Sequence, residues 1–354
     1  MKKLSLVLIA LTSAGTGFAQ SSATLSGIVD VGLTRGESQI NSKTSVTSGN
    51  NNTSRVIFRG TENMEGGLVA SFWLEAGINA DNGTGLAINT NNQSTGLGVA
   101  PAGTQGVVFN RRSTVSLAGK NGELRLGQDF TPHYWNLTLF DPFGSVGVGA
   151  TQLNPSSVGG LTRVRASNSI GYFLPGNLGG FYGQAMYFMG ENPTGVSNSK
   201  DGTGSSSRLG YRFRTYDMAV AYAKTSFIAG NISTTNAALS YTVNDLKLAA
   251  VWNVDRVDSL VRLSSTGYML GATQKLGDGQ IKASIAAVTT DSKGSPRTNK
   301  QALGYVHHLS KRTALYTAFA KLRNSGGASI ALGGATAAAN KDSTGFDIGL
   351  RHAV

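Results

Sequence analysis

Apolar residues recur at every second position through about sixteen short segments of the chain, the period of a β-strand with one apolar face. In the first, Ala23, Leu25, Val29, Val31 and Leu33 share one face, with Thr24, Ser26 and Asp30 on the other. Further along, Leu68, Ala70, Phe72, Leu74, Ala76 and Ile78 oppose Ser71 and Glu75, and Leu209, Tyr211 and Phe213 oppose Arg208, Arg212 and Arg214. Leu246, Leu248, Ala250, Trp252 and Val254 alternate with Lys247 and Asn253, and Ile281, Ala283, Ile285 and Ala287 with Lys282 and Ser284. The closing segment sets Phe346, Ile348 and Leu350 against Asp347 and Arg351.

The connections between segments alternate in length. Turns fall near 62–67, 119–122, 174–180, 214–217, 243–246, 276–279 and 309–312. Longer polar stretches fall near 35–52, 80–106, 130–161, 191–205, 257–263, 291–299 and 324–342, with a shorter one near 228–231. This wiring predicts an all-β fold, a transmembrane antiparallel up-and-down barrel of about sixteen strands, with tight turns at one rim and loops at the other. A soluble sandwich also alternates, because one face of each strand packs on a core. Three features favour the barrel. The alternation persists over ~9–11 residues, the length a tilted strand needs to cross a bilayer. An export signal precedes it. Tyr172, Phe173, Phe181, Tyr187, Phe188, Tyr216, Tyr268 and Tyr305 recur at strand ends, where aromatic girdles sit. Function is then expected on side chains that point inward.

The export signal has Lys2 and Lys3 as its basic region, an apolar stretch over 4–14, and Gly17-Phe18-Ala19 as small residues before a cleavage point. That stretch is too short to span a bilayer. A cleaved signal peptide over 1–19 and one barrel domain over 20–354 are expected, since no Pro-rich hinge, charge block or long repeat divides the rest. The 47 Gly and 7 Pro suit many strands and tight turns. The absence of cysteine excludes disulfides, metal-thiolate sites and a thiol nucleophile.

The formal charge is +12, or +10 once Lys2 and Lys3 are removed. Nucleic-acid binders cluster their cations beside stacking aromatics. Here the cations are mostly single and alternate with apolar residues, so no nucleic-acid partner is expected. Catalytic signals are poor. The histidines are His133, His307, His308 and His352, and none stands in a His-x-x-x-His pair. There is no Gly-x-Ser-x-Gly elbow. Gly147-Val-Gly149 does not open a βα unit. No cofactor and no enzymatic activity are expected; the alternatives are a barrel hydrolase and a plugged structural or adhesive barrel.

Parity sorts the arginines. Arg55 and Arg59 lie opposite Val56 and Phe58, and so point inward. With Val115 and Leu117 outward, Arg112 faces in beside Thr114 and Ser116. Arg163 and Arg165 share the face of Ser167 and Ser169. Arg111 has outward parity, which places it near a rim or in a subunit interface, because a charge facing mid-bilayer lipid costs ~2–4 kcal/mol. The stretch 129–160 lacks alternation, carries Asp141-Pro-Phe-Gly144, and is too long for an idle connection. It is assigned as a loop folded into the barrel, with Asp141 facing the arginines across the neck.

Several stretches resemble one family: Thr24-Leu-Ser-Gly-Ile-Val-Asp30, Ser54-Arg-Val-Ile-Phe-Arg-Gly-Thr-Glu62, and Gly66-Gly-Leu-Val-Ala-Ser-Phe-Trp-Leu-Glu75. Arg111-Arg-Ser-Thr-Val-Ser-Leu-Ala-Gly119, Gly122-Glu-Leu-Arg-Leu-Gly127, Gly304-Tyr-Val-His-His-Leu-Ser-Lys-Arg-Thr-Ala-Leu-Tyr316 and Gly349-Leu-Arg-His-Ala-Val354 complete the set. Together they resemble the general porins of β-proteobacteria, closest to the anion-selective branch. The resemblance implies a water-filled, sixteen-stranded channel of the Gram-negative outer membrane, assembled as a homotrimer, with its third long loop narrowing the pore. It implies outer-membrane lipid, lipopolysaccharide and the barrel assembly machinery as partners, and small anionic solutes as cargo. Arg55, Arg112 and Arg165 match the family's basic cluster at the constriction; Arg59, Arg125 and Arg163 are placed as secondary lumen cations. The chain departs from the family in ending on Val354 where members usually carry Phe. Phe346, Leu350 and Val354 are its expected assembly signal, in a strand whose alternation is kept.

Overall fold

The computed structural model describes residues 21–86, 108–153, 160, 162–260 and 262–354. The segment expected as a signal peptide and most of the connection near 80–106 lie outside them. Sixteen strands close an antiparallel barrel, and two short strands are added to it. The barrel strands are β1 (Ser22–Ser38), β3 (Arg55–Asn63), β4 (Val69–Asn79), β6 (Arg112–Gly119), β7 (Gly122–Phe130), β8 (Arg165–Phe173), β9 (Phe181–Phe188) and β10 (Gly204–Phe213). They continue with β11 (Tyr216–Thr225), β12 (Asn231–Val243), β13 (Leu246–Asp258), β14 (Leu263–Leu276), β15 (Gly279–Asp291), β16 (Arg297–His308), β17 (Thr313–Ser325) and β18 (Ser343–Ala353). The accessory strands are β2 (Ser42–Ser48), on the outer half of β1, and β5 (Thr84–Gly85), against β4. The expected turns fall between these strands, while the stretch expected as a loop near 35–52 holds the end of β1 and the accessory β2.

Closure is made by β1, whose first half pairs with β3 (Ser22 opposite Thr61) and whose second half pairs with β18 (Ser38 opposite Ser343). The last residue joins the ladder: the Val354 N–H donates to the Gly27 carbonyl at 2.9 Å, and the Gly27 N–H returns the bond at 3.3 Å. A closed ladder leaves no strand edge unpaired, which a bilayer requires of any spanning sheet. Among the described residues no helix is long and apolar enough to cross a membrane.

The two faces follow parity. Leu25, Phe58, Phe72, Val115, Leu209, Tyr268 and Phe346 are exposed on the outside, while Thr114, Ser116, Asn253, Ser284 and Asp347 are buried inside. Most of the expected girdle aromatics are outward, Tyr172, Phe181, Tyr187, Tyr216, Tyr268 and Tyr305 among them. Phe188 departs from that expectation. It packs with Ala166 and Met186 on the buried side, because it shares the parity of Met186 and lies opposite the outward Tyr187.

The described parts of the third long loop, 131–153 and 162–164, fold into the barrel. The loop opens with a short helix, α1 (Pro132–Phe140), with Pro at the first turn where a missing N–H costs nothing. The helix packs on β9 to β13. Leu137, Phe140 and Leu153 lie against Ala219, Ala238, Val251 and Met269. Farther along, Phe143 and Val148 lie against Ala302, Ala320 and Leu322. Each large apolar side chain buried this way contributes about 1.5–3 kcal/mol. An inner wall that is polar throughout does not describe this region. Under the loop the wall is small and apolar, because there it carries a second layer of protein.

The tip of the loop is pinned to the closing seam. The Asp347 carboxylate in β18 accepts the Val148 N–H and the Thr34 hydroxyl, both at 2.6 Å. Gly147 has φ +67°, and a Cβ there would run into the Asn50 carbonyl and lie 2.8 Å from Asp347 Oδ2. Only glycine fits so close an approach. On the same seam Asp30 accepts the Tyr316 hydroxyl at 2.6 Å and the backbone N–H groups of Asn51 and Asn52, so the first long loop is tied down beside the third.

Candidate functional site

The inner faces of β3, β4, β6, β7 and β8 bring a set of arginines together around two buried carboxylates. Arg55 and Arg112 both project inward, as parity predicts. Arg55 donates to Asn52 Oδ1 at 2.9 Å and to the Thr53 carbonyl at 3.1 Å, with its Nε 3.5 Å from Glu75 Oε1. Arg112 donates to Thr114 Oγ1 at 3.0 Å, lies 3.7 Å from Asp129 Oδ2, and stacks over Trp73 at 4.6 Å. Arg125 bridges Glu123 and Asp129 at 2.8 and 2.6 Å and covers the Phe173 ring at 3.9 Å. Phe173 thus belongs to this wall and not to the outer girdle. Arg59 also lies over the Trp73 ring, at 5.4 Å.

Arg165 reaches the same region by a different route. A bulge in β8, at Asn168 (φ +54°), shifts its register against β7 between Gly127 and Asp129. Arg165 therefore pairs with Phe130 and lies over that ring at 4.4 Å. Its Nε is buried without a hydrogen-bond partner among the described residues, and so is the Nε of Arg163. Arg163 belongs to the end of the loop, before β8 begins. Burial depresses its guanidinium from the ordinary value, with Asp255 opposing.

Two expectations need correction. Arg111 does not face outward: its Nε donates to Glu75 Oε1 at 2.6 Å, and its guanidinium lies 5.4 Å from the Phe130 centroid. The parity argument fails because β6 begins only at Arg112. Just before it, the Asn110 side chain accepts the Gly77 N–H at 2.8 Å and turns the backbone out of strand register. Asp141 does not present its carboxylate to the arginines. It is buried in its own loop, accepting the backbone N–H groups of Phe143 at 2.9 Å, Ser145 at 3.0 Å and Thr151 at 3.0 Å. Burial raises its pKa, and those amides and Lys300 act the other way. It shapes the turn at the helix end.

The carboxylates that do face the arginines are Asp129, beside Arg112 and Arg125, and Glu75, beside Arg55 and Arg111. Glu75 accepts Trp73 Nε1 at 3.0 Å and Arg111 Nε at 2.6 Å, and it orients the cluster. Its inward parity was visible beside Ser71, but nothing in the sequence linked it to Arg111 across 36 residues. The opposite wall carries lysines. Lys300 donates to the Ala150 carbonyl of the loop, Lys247 lies over Phe140 at 5.8 Å, and Lys282 approaches Asn51 Oδ1 at 3.4 Å.

The helix is latched by His133, whose Nδ1 lies 3.1 Å from Ser206 Oγ and whose carbonyl accepts Asn236 Nδ2 at 3.1 Å. Burial pushes the imidazole down to about 4; the Arg163 carbonyl opposes this and the Arg163 guanidinium adds to it. A released loop would titrate near ~6.5. As pH falls below that, the released form takes up the proton first, so packing is fully supported above ~6.5 and loses support toward about 4. Single-channel current at pH 5 should therefore be noisier than at pH 7.5, and His133→Gln should flatten that dependence.

A closed membrane barrel with an infolded loop facing a wall of arginines is a diffusion channel by architecture. The comparisons agree. Residues 5–327 match the Gram-negative porin family, and the chain belongs to it. It is 32% identical to outer membrane porin protein 32 of Delftia acidovorans over the whole of both chains. Its structure matches an anion-selective porin from Comamonas acidovorans with a TM-score of 0.82 at 30% identity, covering 95% of this chain and 100% of that one. The trimer form of OmpT from Vibrio cholerae matches with a TM-score of 0.62 at 11% identity, covering 94% and 99%, which shows the fold alone. The protein is an outer-membrane porin of the Gram-negative type.

Proposed function

We propose that this porin prefers anions and passes small hydrophilic solutes by passive diffusion, without catalysis or cofactor. The observation that carries this is the charge balance on one wall. Arg55, Arg111, Arg112, Arg125 and Arg165 gather around Glu75, Asp129 and Glu123, an excess of fixed positive charge. Arginine suits the task because its charge persists at all relevant pH values and its planar fork holds carboxylate or phosphate. Two unit charges ~4 Å apart interact by about 4 kcal/mol at an effective dielectric near 20. The similarity to the anion-selective porin from Comamonas acidovorans points the same way. Arg55, Arg112 and Arg165, joined by Arg111, form the proposed constriction, with Arg59, Arg125 and Arg163 as secondary cations. Asp141 is retained as the carboxylate that shapes the loop.

We further propose export by the signal peptide over 1–19, assembly machinery reading Phe346, Leu350 and Val354, and a homotrimer in contact with outer-membrane lipid and lipopolysaccharide. The test of selectivity is a planar bilayer with a KCl gradient. The reversal potential should have the sign for chloride over potassium. The preference should weaken as salt rises, because the Debye length shrinks from about 10 Å at 0.1 M to about 3 Å at 1 M. A cation-selective current would overturn the reading.

A further inference from the structure

The lumen holds a second basic cluster, apart from the arginines. Lys247 on β13, Thr273 on β14 and Lys282 on β15 stand in one cross-strand row, Thr273 directly opposite each lysine. They share the parity of the buried, inward Ala249 and Ser284. Gln280 follows on β15, one row nearer the short turns. The end of α1 and the turn after it rest on the same wall: a Cβ on Gly271 would lie 2.5 Å from Pro142 Cγ. Between them and the lysine row lies a cavity of about 190 Å³. Leu139, Phe140 and Pro142 form its apolar side, and the lysines with Thr273 and Gln280 form its polar side.

The polar side is short of partners. Lys247 lies 5.8 Å from the Phe140 centroid and, among the described residues, makes no hydrogen bond or ion pair. Lys282 lies 6.0 Å from the Phe143 centroid and reaches only a neutral oxygen, Asn51 Oδ1 at 3.4 Å. The side chains of Thr273 and Gln280 have no hydrogen-bond partner among the described residues. Arg55, Arg111, Arg112 and Arg125, by contrast, each face a carboxylate. Neighbouring strands lie ~4.8 Å apart, so the two lysine backbones are about 10 Å from each other. Their flexible four-carbon stems let both ammonium groups meet on one small anion. One carboxylate, Asp141, also borders the cavity, with its oxygens engaged by loop amides. Two lysines against one aspartate leave a single positive charge in excess, the complement of a monoanion.

We infer that this cavity is a binding site for a small aromatic monocarboxylate, of the size of benzoate, with its carboxylate between Lys247 and Lys282 and its ring against Leu139, Phe140 and Pro142. The inference rests on the reading of the lumen as an anion-preferring channel and names one class of solute for it. The lining decides the class. An inorganic anion would leave the apolar side unused, and a neutral ring would leave both ammonium groups unpaired. A dicarboxylate would bring one negative charge more than the lining balances. An aromatic body gains contact with the Phe140 ring. The size suits a single ring, since an apolar cavity of about 150 Å³ is enough to hold benzene. Lys247 and Gln280 are each the second residue of a strand that follows a short turn. Short turns mark the periplasmic rim, so a solute that has passed the loop meets this cavity next, on the wall across from the arginines.

The test uses the full mature chain in a planar bilayer, with benzoate added to KCl and the block of single-channel current titrated. Burying the ring corresponds to about tenfold or more in affinity, so benzoate should block half-maximally at a concentration lower than acetate by about that factor. Phthalate, with its second carboxylate, should block more weakly than benzoate, and benzyl alcohol should not block. Loss of one charge-assisted contact also corresponds to about tenfold, so Lys247→Gln and Lys282→Gln should each raise the blocking concentration of benzoate by about that much. Leu139→Ser, at a position 49% exposed, should raise it for benzoate and not for acetate. Equal block by benzoate and acetate would overturn the inference. So would block by benzyl alcohol or phthalate that matches benzoate, or unchanged block in both lysine variants. The reversal potential in KCl alone, read on the same channels, separates the two readings. Potassium preference there overturns the anion-preferring channel, whereas chloride preference without benzoate block overturns this site alone. Should the lysine variants fail to assemble, Leu139→Ser decides by itself.

Discussion

Replacing Arg55, Arg112 and Arg165 together by alanine should abolish the anion preference and turn the channel toward cations. The wall would then hold Arg111 and Arg125 against Glu75, Asp129 and Glu123, two positive charges against three negative ones. Each ~1.4 kcal/mol of lost stabilisation of an anion in the neck is about tenfold in occupancy, so the three removals should be visible as a change of sign in the reversal potential. Single replacements should be graded. Arg112→Ala and Arg111→Ala should both lower the preference, although the two residues are adjacent in sequence, because both point into the cluster. Glu75→Gln should do the reverse, releasing Arg55 and Arg111 from their shared carboxylate. If the triple variant kept its chloride preference, the selective charge would have to reside with Lys247, Lys282 and Lys300 on the opposite wall.

Asp347→Ala should raise conductance and make the open current flicker. The change removes the acceptor of the Val148 N–H at the loop tip, along with the partner of Thr34. A buried N–H left without an acceptor costs about 1–3 kcal/mol. Phe143 and Val148 would keep their apolar contacts with Ala302 and Ala320, so the loop should loosen at one end while α1 stays in place. The measurement is single-channel conductance and its variance, with Asp347→Asn as a milder companion that retains an acceptor. A quiet channel of unchanged conductance in both variants would show that the apolar contacts alone hold the tip.

The barrel was legible because its signals are local. Parity set the inward side of Arg55, Arg112, Thr114 and Ser116, and the alternation of short and long connections set the strand count and the rims. The infolded loop was legible from length and lack of alternation. Its helix was not: α1 is apolar on several sides, because it touches the wall on one face and loop residues on others, so no helical stripe shows. Arg111 was misread because parity was carried past the end of a strand. Asp141 was misread because a carboxylate beside Pro and Gly looks the same in sequence whether it faces the pore or caps its own turn. The role of Glu75 depends on a pairing between β4 and the residue before β6, and such a contact leaves no trace at either position alone.

The arginines stand on hydrogen-bonded strands, while the opposite boundary of the pore is a loop held by a few anchors at Asp347, His133 and the alanine-lined wall. The charge that sorts ions and the width that limits their size are therefore set by separate parts of one molecule. Substitutions that trim the loop can change which solutes are small enough to pass and leave untouched which sign of charge is welcomed. A channel built this way can be retuned for a new nutrient in two independent steps, each of which preserves a working pore.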